Sequence, residues 1–120
     1  MIEILSLDDR DREKLCRSCG ITEASGLLAK GAYEDGRLLG NCLYKCKSDA
    51  AELVYADDLP PPVLDGLVRA VLFDCIQKGI KTARLTPRCQ LDKLFSLGIL
   101  SSLDNLTINL TNFFSQCKKC

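Results

Sequence analysis

The chain has 120 residues, of which 16 are basic and 16 acidic, with eight cysteines and no histidine. This length suits one domain with its own core, so we expect residues 1–120 to form a single domain, with residues 115–120 as a flexible Cys-containing tail. The missing histidine excludes Ser-His-Asp triads, Cys-His dyads and His-ligated metals. The balanced charge gives no indication of a nucleic acid or an anionic membrane as a partner.

The first ten residues lack the basic segment and the long apolar segment of a signal peptide. No stretch of the sequence approaches the roughly 20 apolar residues that a membrane span needs. We therefore expect a cytoplasmic protein whose cysteines are reduced.

The first half of the chain predicts a helix and an antiparallel meander. Residues 2–5 alternate as in a short strand, and residues 8–19 follow as a thinly apolar helix. Asp35 and Gly36 form a hairpin turn between two strands, and a third strand comes after it. These three strands are predicted at 27–34, 37–47 and 51–57.

The second half predicts a strand–helix–strand crossover followed by a short helix and a hairpin. Residues 63–78 carry apolar side chains at i, i+3 and i+4 spacing and form the best helix of the chain. A strand directly after it makes a βαβ unit and hence a parallel strand pair. The remaining elements are predicted as a strand at 80–85, a helix at 89–97, and strands at 99–101 and 106–114. The fold class is therefore α+β: a mostly antiparallel mixed sheet with one central parallel pair, flanked by helices.

Two pairs of cysteines have the C-x-x-C spacing that zinc sites and redox sites use. They are Cys16 with Cys19 and Cys117 with Cys120. Four thiolates are enough for a tetrahedral zinc site, but the two pairs are far apart in sequence. We expect no metal and a packing role for most cysteines, Cys75 among them, and keep a shared metal or redox site as the alternative.

Three local patterns follow one another along the chain, at residues 31–44, 60–72 and 93–99. In this order they resemble the GNAT N-acetyltransferase superfamily: the first is similar to its early hairpin, the second to its acyl-CoA loop and helix, and the third to the end of its last helix. The resemblance covers nearly the whole chain. It implies a GNAT-like mixed sheet and acyl transfer from acetyl-CoA or another acyl-CoA to an amine on a small molecule or a protein.

The resemblance also implies where the cofactor binds. Family members hold the CoA diphosphate with backbone N–H groups at the start of the central helix, and the pantetheine arm lies between the splayed parallel strands. Carried onto this chain, the cofactor residues are Val63, Leu64, Asp65, Gly66, Leu67, Val68 and Arg69. Only Gly66 matches the family's pattern of small residues. Three prolines precede the helix and have no N–H group to offer, and Asp65 adds a negative charge, so the cofactor loop is atypical.

The catalytic positions depart from the family in part. The tyrosine that protonates the leaving thiolate in family enzymes is Leu94 here, and Cys89 is a possible substitute. Family bases are often carboxylates on the strand before the cofactor loop, which points to Glu52 and Asp57.

Three hypotheses follow from the sequence. The first is an acyl-CoA-dependent N-acyltransferase with an atypical cofactor loop. The second is a catalytically inactive GNAT-fold binding or regulatory module that dimerises along its sheet. The third is the cysteine-based metal or redox protein. Neither nucleic acid nor membrane is expected as a partner in any of them.

Overall fold

The computed structural model describes residues 1–21 and 26–117, with the backbone alone from residue 114 onward. Its strands and helices follow one another in the order β-α-β-β-β-α-β-α-β-α. Their bounds are β1 Ile2–Ser6, α1 Asp9–Ser18, β2 Leu27–Glu34, β3 Arg37–Lys47, β4 Ala50–Ala56, α2 Pro61–Gln77, β5 Thr82–Leu85, α3 Leu91–Ser96, β6 Thr107–Asn109 and α4 Leu110–Cys117.

The six strands form one sheet whose spatial order is the order of the chain, β1 to β6. Every neighbouring pair is antiparallel except β4 and β5, which run parallel from Ala50 opposite Thr82 to Leu53 opposite Leu85. Helix α2 makes the crossover that a parallel pair requires. The predicted mixed sheet with one central parallel pair is therefore confirmed.

The larger part of the core lies between α2 and one face of the sheet. The buried side chains of α2 recur at the predicted helical spacing: Leu64, Leu67, Val68, Val71, Leu72 and Cys75. They pack against buried strand residues that include Tyr44, Leu53 and Leu85. Burial of apolar surface stabilises a fold by about 25 cal/mol per Å², so this contact holds α2 on the sheet.

The opposite face of the sheet carries a much smaller core beneath α1. Cys16 is the buried residue of α1, and it packs with Leu27, Ala29 and Leu43. Asp8 caps the helix by accepting a hydrogen bond from the Asp11 N–H at 2.9 Å. The two faces of the sheet are therefore covered very unequally.

Two β-bulges change the side-chain alternation that the sequence predicts. Tyr33 pairs with Leu38 and Ala32 with Gly40, so Leu39 is the extra residue of β3. Leu38 therefore shares the α1 face with Asn41, and Leu39 packs into the core under α2. Both leucines therefore lie on the face opposite to the one that strict alternation along β3 would give them, because one inserted residue flips every side chain before it.

The predicted closing hairpin is wrong. Residues 99–101 form no strand, and the strand predicted at 106–114 is short and is followed at once by α4. Asn109 ends β6 and accepts a hydrogen bond from the Asn112 N–H at 3.1 Å, which is a helix cap. The alternation of Leu106, Ile108 and Leu110 suggested a longer strand, but this cap starts a helix instead. Residues 115–117 belong to this helix rather than to a tail, and 118–120 lie outside the described residues.

Candidate functional site

The pairing of the parallel strands β4 and β5 ends at Leu53 and Leu85, and the part of β4 beyond it is where the resemblance places the cofactor. Leu43 pairs with Tyr55 and Tyr44 with Leu53, so Val54 is a bulged residue on β4. Bulges occur often beside active sites, because they re-aim backbone groups. A groove beside Val54 would expose the edge of β4 to a pantetheine arm.

Residues 86–90 occupy that edge of β4. The Thr86 N–H donates to the Leu53 carbonyl at 3.1 Å, and the Thr86 hydroxyl donates to the Val54 carbonyl at 2.6 Å. The Ala56 N–H donates to the Arg88 carbonyl at 3.2 Å. The side chain of Gln90 then donates to the Ala56 carbonyl at 3.2 Å. The backbone of β4 from residue 53 to residue 56 is thus bonded to the chain's own segment at the place where the groove is expected.

The start of α2 has no free backbone donors for a diphosphate. Pro60, Pro61 and Pro62 have no N–H group, and the N–H groups of Val63 and Leu64 both donate to the Pro60 carbonyl at 3.0 Å. An added Cβ at Gly66 would meet no atom within 4 Å outside the nearby backbone of its own helix, so the space beside this glycine is open and no close cradle surrounds it. The residues present therefore do not fit CoA in the way the resemblance implies.

The other predicted cofactor residues have structural roles. Leu64, Leu67 and Val68 are fully buried in the core under α2. Asp65 accepts a hydrogen bond from Arg69 at 2.8 Å within the helix, and the Arg69 guanidinium lies 5.1 Å from the centre of the Phe113 ring. The seven residues are close together in the structure, as one helix requires, but these five contribute to packing and to an ion pair.

The two candidate bases lie apart, Glu52 within β4 and Asp57 directly after its end. Glu52 pairs with Lys45 on one side and Arg84 on the other, and all three line a small pocket of about 190 Å³. Asp57 is five residues further along, roughly 16 Å away for an extended strand. The structure therefore does not bring Glu52 to the C-terminal end of β4, where Asp57 lies.

Asp57 is held in a polar junction. Its carboxylate accepts hydrogen bonds from the Asn41 N–H at 2.7 Å and from the Tyr55 hydroxyl at 2.6 Å. The hydrogen bond to Asp57, together with burial, raises the pKa of Tyr55 well above its usual value, so this hydroxyl remains a donor. Arg88 lies over the Tyr55 ring at 5.1 Å and donates to the Cys19 carbonyl at 2.8 Å. Sequence reasoning missed Asn41, Tyr55 and Arg88. The i, i+2 spacing of Tyr55 and Asp57 on a strand is a signal for their contact, whereas Asn41 and Arg88 come from distant segments.

A cavity of about 460 Å³ lies beside the C-terminal end of β4, next to residues 86–90. Its walls are residues of the loop after β4, of the loop after β5 and of α3: Asp58, Pro87, Gln90, Leu91, Asp92 and Lys93. Lys93 donates to the Asp58 carboxylate and to the Leu59 carbonyl. The cationic group in this wall is therefore already paired with a carboxylate.

Neither Leu94, at the position of the family's tyrosine, nor its candidate substitute Cys89 can supply the acid for the leaving group. Leu94 has no proton to donate and is fully buried. Cys89 is also fully buried, and its thiol donates to the Leu53 carbonyl at 3.1 Å. Burial raises the pKa of Cys89, which keeps it a neutral thiol.

The described cysteines do not form a metal centre. Cys16 is buried in the small core under α1, and burial raises the pKa of Cys19. Within residues 1–21 and 26–117, no three side chains of the metal-binding types form a group that could hold an ion. The side chain of Cys117 and all of Cys120 lie outside the described residues, so the four-cysteine site that the sequence offers as an alternative is not tested by them.

Comparison of the sequence with protein-family models and with curated proteins gave no match. Solved structures do match. A ribosomal-protein-alanine N-acetyltransferase from Brucella melitensis biovar Abortus 2308 superimposes with a TM-score of 0.66 at 15% identity, over 87% of this chain and 94% of its own. A putative acetyltransferase from Exiguobacterium sp. 255-15 gives 0.65 at 14% identity, over 97% and 98%.

A further match is the PaiA N-acetyltransferase from Thermoplasma acidophilum, solved in complex with coenzyme A. It gives a TM-score of 0.60 at 20% identity, over 82% of this chain and 88% of its own. Identities this low establish the fold alone. The chain has the fold of the GNAT acetyltransferases, as its sequence resemblance predicted.

Among the helices that the structure describes, none is both long enough and apolar enough to cross a membrane.

Proposed function

We propose that this chain is a GNAT-fold binding module that does not transfer acyl groups from CoA. One observation carries the proposal: residues 86–90 are hydrogen-bonded along the edge of β4 where a pantetheine arm would lie. Of the hypotheses that the sequence leaves open, this is the inactive module.

The energetic cost of admitting CoA supports this choice. Displacing the segment would break the bonds of Thr86, Arg88 and Gln90 to β4, at about 0.5–1.5 kcal/mol net for each bond. The diphosphate would then meet prolines and already bonded N–H groups at α2, with the Asp65 carboxylate nearby. The anion attraction of a helix N-terminus depends on free N–H groups, which this helix lacks in its first turn.

Thermal unfolding with CoA or acetyl-CoA at millimolar concentration tests the proposal, with ADP as the control ligand. We expect the same unfolding temperature with and without ligand. A ligand at 100 times its dissociation constant would stabilise the fold by about 2.7 kcal/mol, which is easily measured. A saturable rise with CoA that ADP does not reproduce would overturn the proposal.

A matched variant separates the two obstacles to CoA. Thr86→Val with Gln90→Leu removes the side-chain hydrogen bonds that fix the segment to β4, and leaves the start of α2 unchanged. We expect this variant to remain unresponsive to CoA, because the diphosphate still lacks donors.

The second candidate is an acyl-CoA-dependent N-acyltransferase in which residues 86–90 leave the groove during turnover. It is favoured by the bulge at Val54, by the 460 Å³ cavity beside Asp58, and by a fold shared with acetyltransferases. In this candidate Asp57 or Glu52 would be the base, and a small-molecule or protein amine the acceptor. Mass spectrometry of an amine panel incubated with acetyl-CoA detects the product, and the Thr86→Val, Gln90→Leu variant should then be faster than the wild type.

The proposed partner of the inactive module is a second copy of the chain in the cytoplasm. Strand β1 lies at the edge of the sheet, where Ile2 and Leu5 are 37% and 50% exposed. An edge strand with apolar side chains is a template for pairing. Sedimentation should show a dimer that Leu5→Lys weakens, and a wild type that stays monomeric at all concentrations would argue against this partner.

A further inference from the structure

Two cysteines from different elements meet where α2 packs on the sheet. Cys46 lies on β3 and Cys75 near the end of α2, and their sulfur atoms are 3.8 Å apart. They are 29 positions apart in sequence, so the contact depends on the tertiary fold. No C-x-x-C motif includes either of them.

We propose that Cys46 and Cys75 form a dithiol that a peroxide oxidises reversibly to an intramolecular disulfide, joining β3 to α2. The sulfur atoms need to approach by less than 2 Å, since a disulfide bond is about 2.05 Å long. The site is a modification site on the face of the sheet that α2 covers.

The two cysteines differ in access, and this sets the order of the steps. Cys46 is half-buried, whereas Cys75 is fully buried, and burial with the neighbouring Cys46 raises the pKa of Cys75 to about 12. The nucleophile in thiol oxidation is the thiolate, and the exposure of the sulfur atom controls whether peroxide can reach it. Cys46 is therefore the cysteine that reacts with peroxide first, and Cys75 is the resolving thiol.

The chemistry balances with peroxide as the only oxidant. The Cys46 thiolate attacks one peroxide oxygen, the O–O bond breaks, and the departing hydroxide takes up a proton to give water. The sulfur is left as sulfenic acid. Cys75 then attacks this sulfur, the S–O bond breaks, and the hydroxide leaves as water with the Cys75 proton. Two thiols lose two electrons and two protons, and one peroxide becomes two waters.

The surroundings keep the two thiols opposite each other. The residue before Cys75, Asp74, accepts hydrogen bonds from the Tyr44 hydroxyl and from Lys78, both at 2.6 Å. Tyr44 lies two residues before Cys46 on the same face of β3. The hydrogen bond between Tyr44 and Asp74 is therefore a second contact that joins β3 to the last turns of α2 beside the two cysteines. The other cysteines of this core are less suited, because Cys42 is fully buried and the Cys89 thiol is bonded to the Leu53 carbonyl.

Tryptic mapping of the full chain after brief peroxide treatment identifies the bond. Trypsin cuts after Lys45 and Lys47, which isolates Cys46 from Cys42, and it releases Cys75 in the peptide 70–78. We expect a linked species that joins residues 46–47 to 70–78, is 2 Da lighter than the sum of its two peptides and disappears on treatment with dithiothreitol. A free peptide 70–78 in a sample that is oxidised elsewhere would overturn the proposal.

Thermal unfolding shows whether the bond forms in the folded state. A cross-link over this loop should raise the unfolding temperature of the oxidised chain by roughly 10 °C over the reduced chain. Cys46→Ala should abolish the rise, and Cys19→Ala, at a half-buried cysteine outside the pair, should retain it. A linked species without any rise, or a rise that survives Cys46→Ala, would contradict a native dithiol.

Discussion

At the scale of single residues, the clearest polar contact of the core is the one around Asp74. The Tyr44 hydroxyl and the Lys78 ammonium both donate to the same carboxylate oxygen. Burial alone would raise the pKa of Asp74, but these two donors outweigh burial and lower it below its usual value of 3.8. A carboxyl group whose pKa is lowered on folding stabilises the fold above that usual value, and its contribution is lost as the pH falls through the folded pKa.

Replacing Tyr44 by phenylalanine should therefore have a pH-dependent cost. We expect Tyr44→Phe to lower the free energy of unfolding by about 1.5–3 kcal/mol at pH 7, the usual range for a hydrogen bond to a charged group. The difference should begin to shrink below about pH 4, where the unfolded chain takes up a proton at Asp74, and it should be lost as the pH falls through the lower pKa of Asp74 in the folded state. Urea unfolding at pH 7 and pH 3 measures it. Tyr33→Phe is the control, since the Tyr33 hydroxyl has no hydrogen bond to the described part of the chain, and a difference constant with pH would refute the assignment.

At the scale of elements, a glycine in α2 and a glycine in β3 have opposite effects on packing. Gly66 lies within α2, and a side chain there would meet nothing within 4 Å. Gly40 lies on β3 directly under Leu59, whose Cδ2 would be 2.7 Å from an added Cβ. Gly66 therefore lowers the stability of its helix and gains nothing in packing, whereas Gly40 leaves the space that the side chain of Leu59 occupies.

Alanine at the two positions should shift stability in opposite directions. Gly66→Ala should stabilise the fold by about 0.5–1 kcal/mol, the usual gain in a helix interior. Gly40→Ala should destabilise it by about 1–3 kcal/mol through overpacking. Chemical denaturation of both variants measures the pair. Equal changes in the free energy of unfolding would contradict the difference in packing at the two sites. A change in the response to CoA caused by Gly66→Ala would instead support a cofactor loop at the start of α2.

At the scale of the whole molecule, the two faces of the sheet differ in core size. Helix α2 buries six side chains, and α1 buries Cys16 among its ten residues. Local opening follows the number of buried contacts, so a thinly packed helix opens below the global free energy of unfolding.

Hydrogen exchange should resolve this difference. We expect the amides of α1 to exchange with a smaller opening free energy than those of α2 and β3, as followed by mass spectrometry of proteolytic fragments. Cys16→Ser should speed exchange in α1 and leave α2 nearly unchanged, because it places a hydroxyl in the small core alone. Exchange of α1 and α2 at one common rate would show a single cooperative unit instead.

Much of the fold followed from local patterns. Helix α2 and the hairpin at Asp35 and Gly36 were predicted within a few residues, because amphipathic spacing and turn residues are local signals. The closing hairpin failed for the same reason, since alternation in Leu106, Ile108 and Leu110 continued across a helix cap at Asn109. For the candidate site, the sequence predicted which residues would line it but not the contacts that those residues make. The hydrogen bonds of Thr86 and Gln90 to β4 join residues more than 30 apart.

The sequence by itself determined the chemistry that is excluded, the α+β class, the resemblance to GNAT acetyltransferases and the prolines that remove N–H donors from the start of α2. These properties depend on which residues are present and on spacing within single elements. Only the tertiary structure decided that residues 86–90 lie along β4, that Glu52 and Asp57 are separated, and that Cys46 meets Cys75. Contacts between distant segments depend on how a helix and a sheet pack, and residue type and local spacing do not encode that geometry.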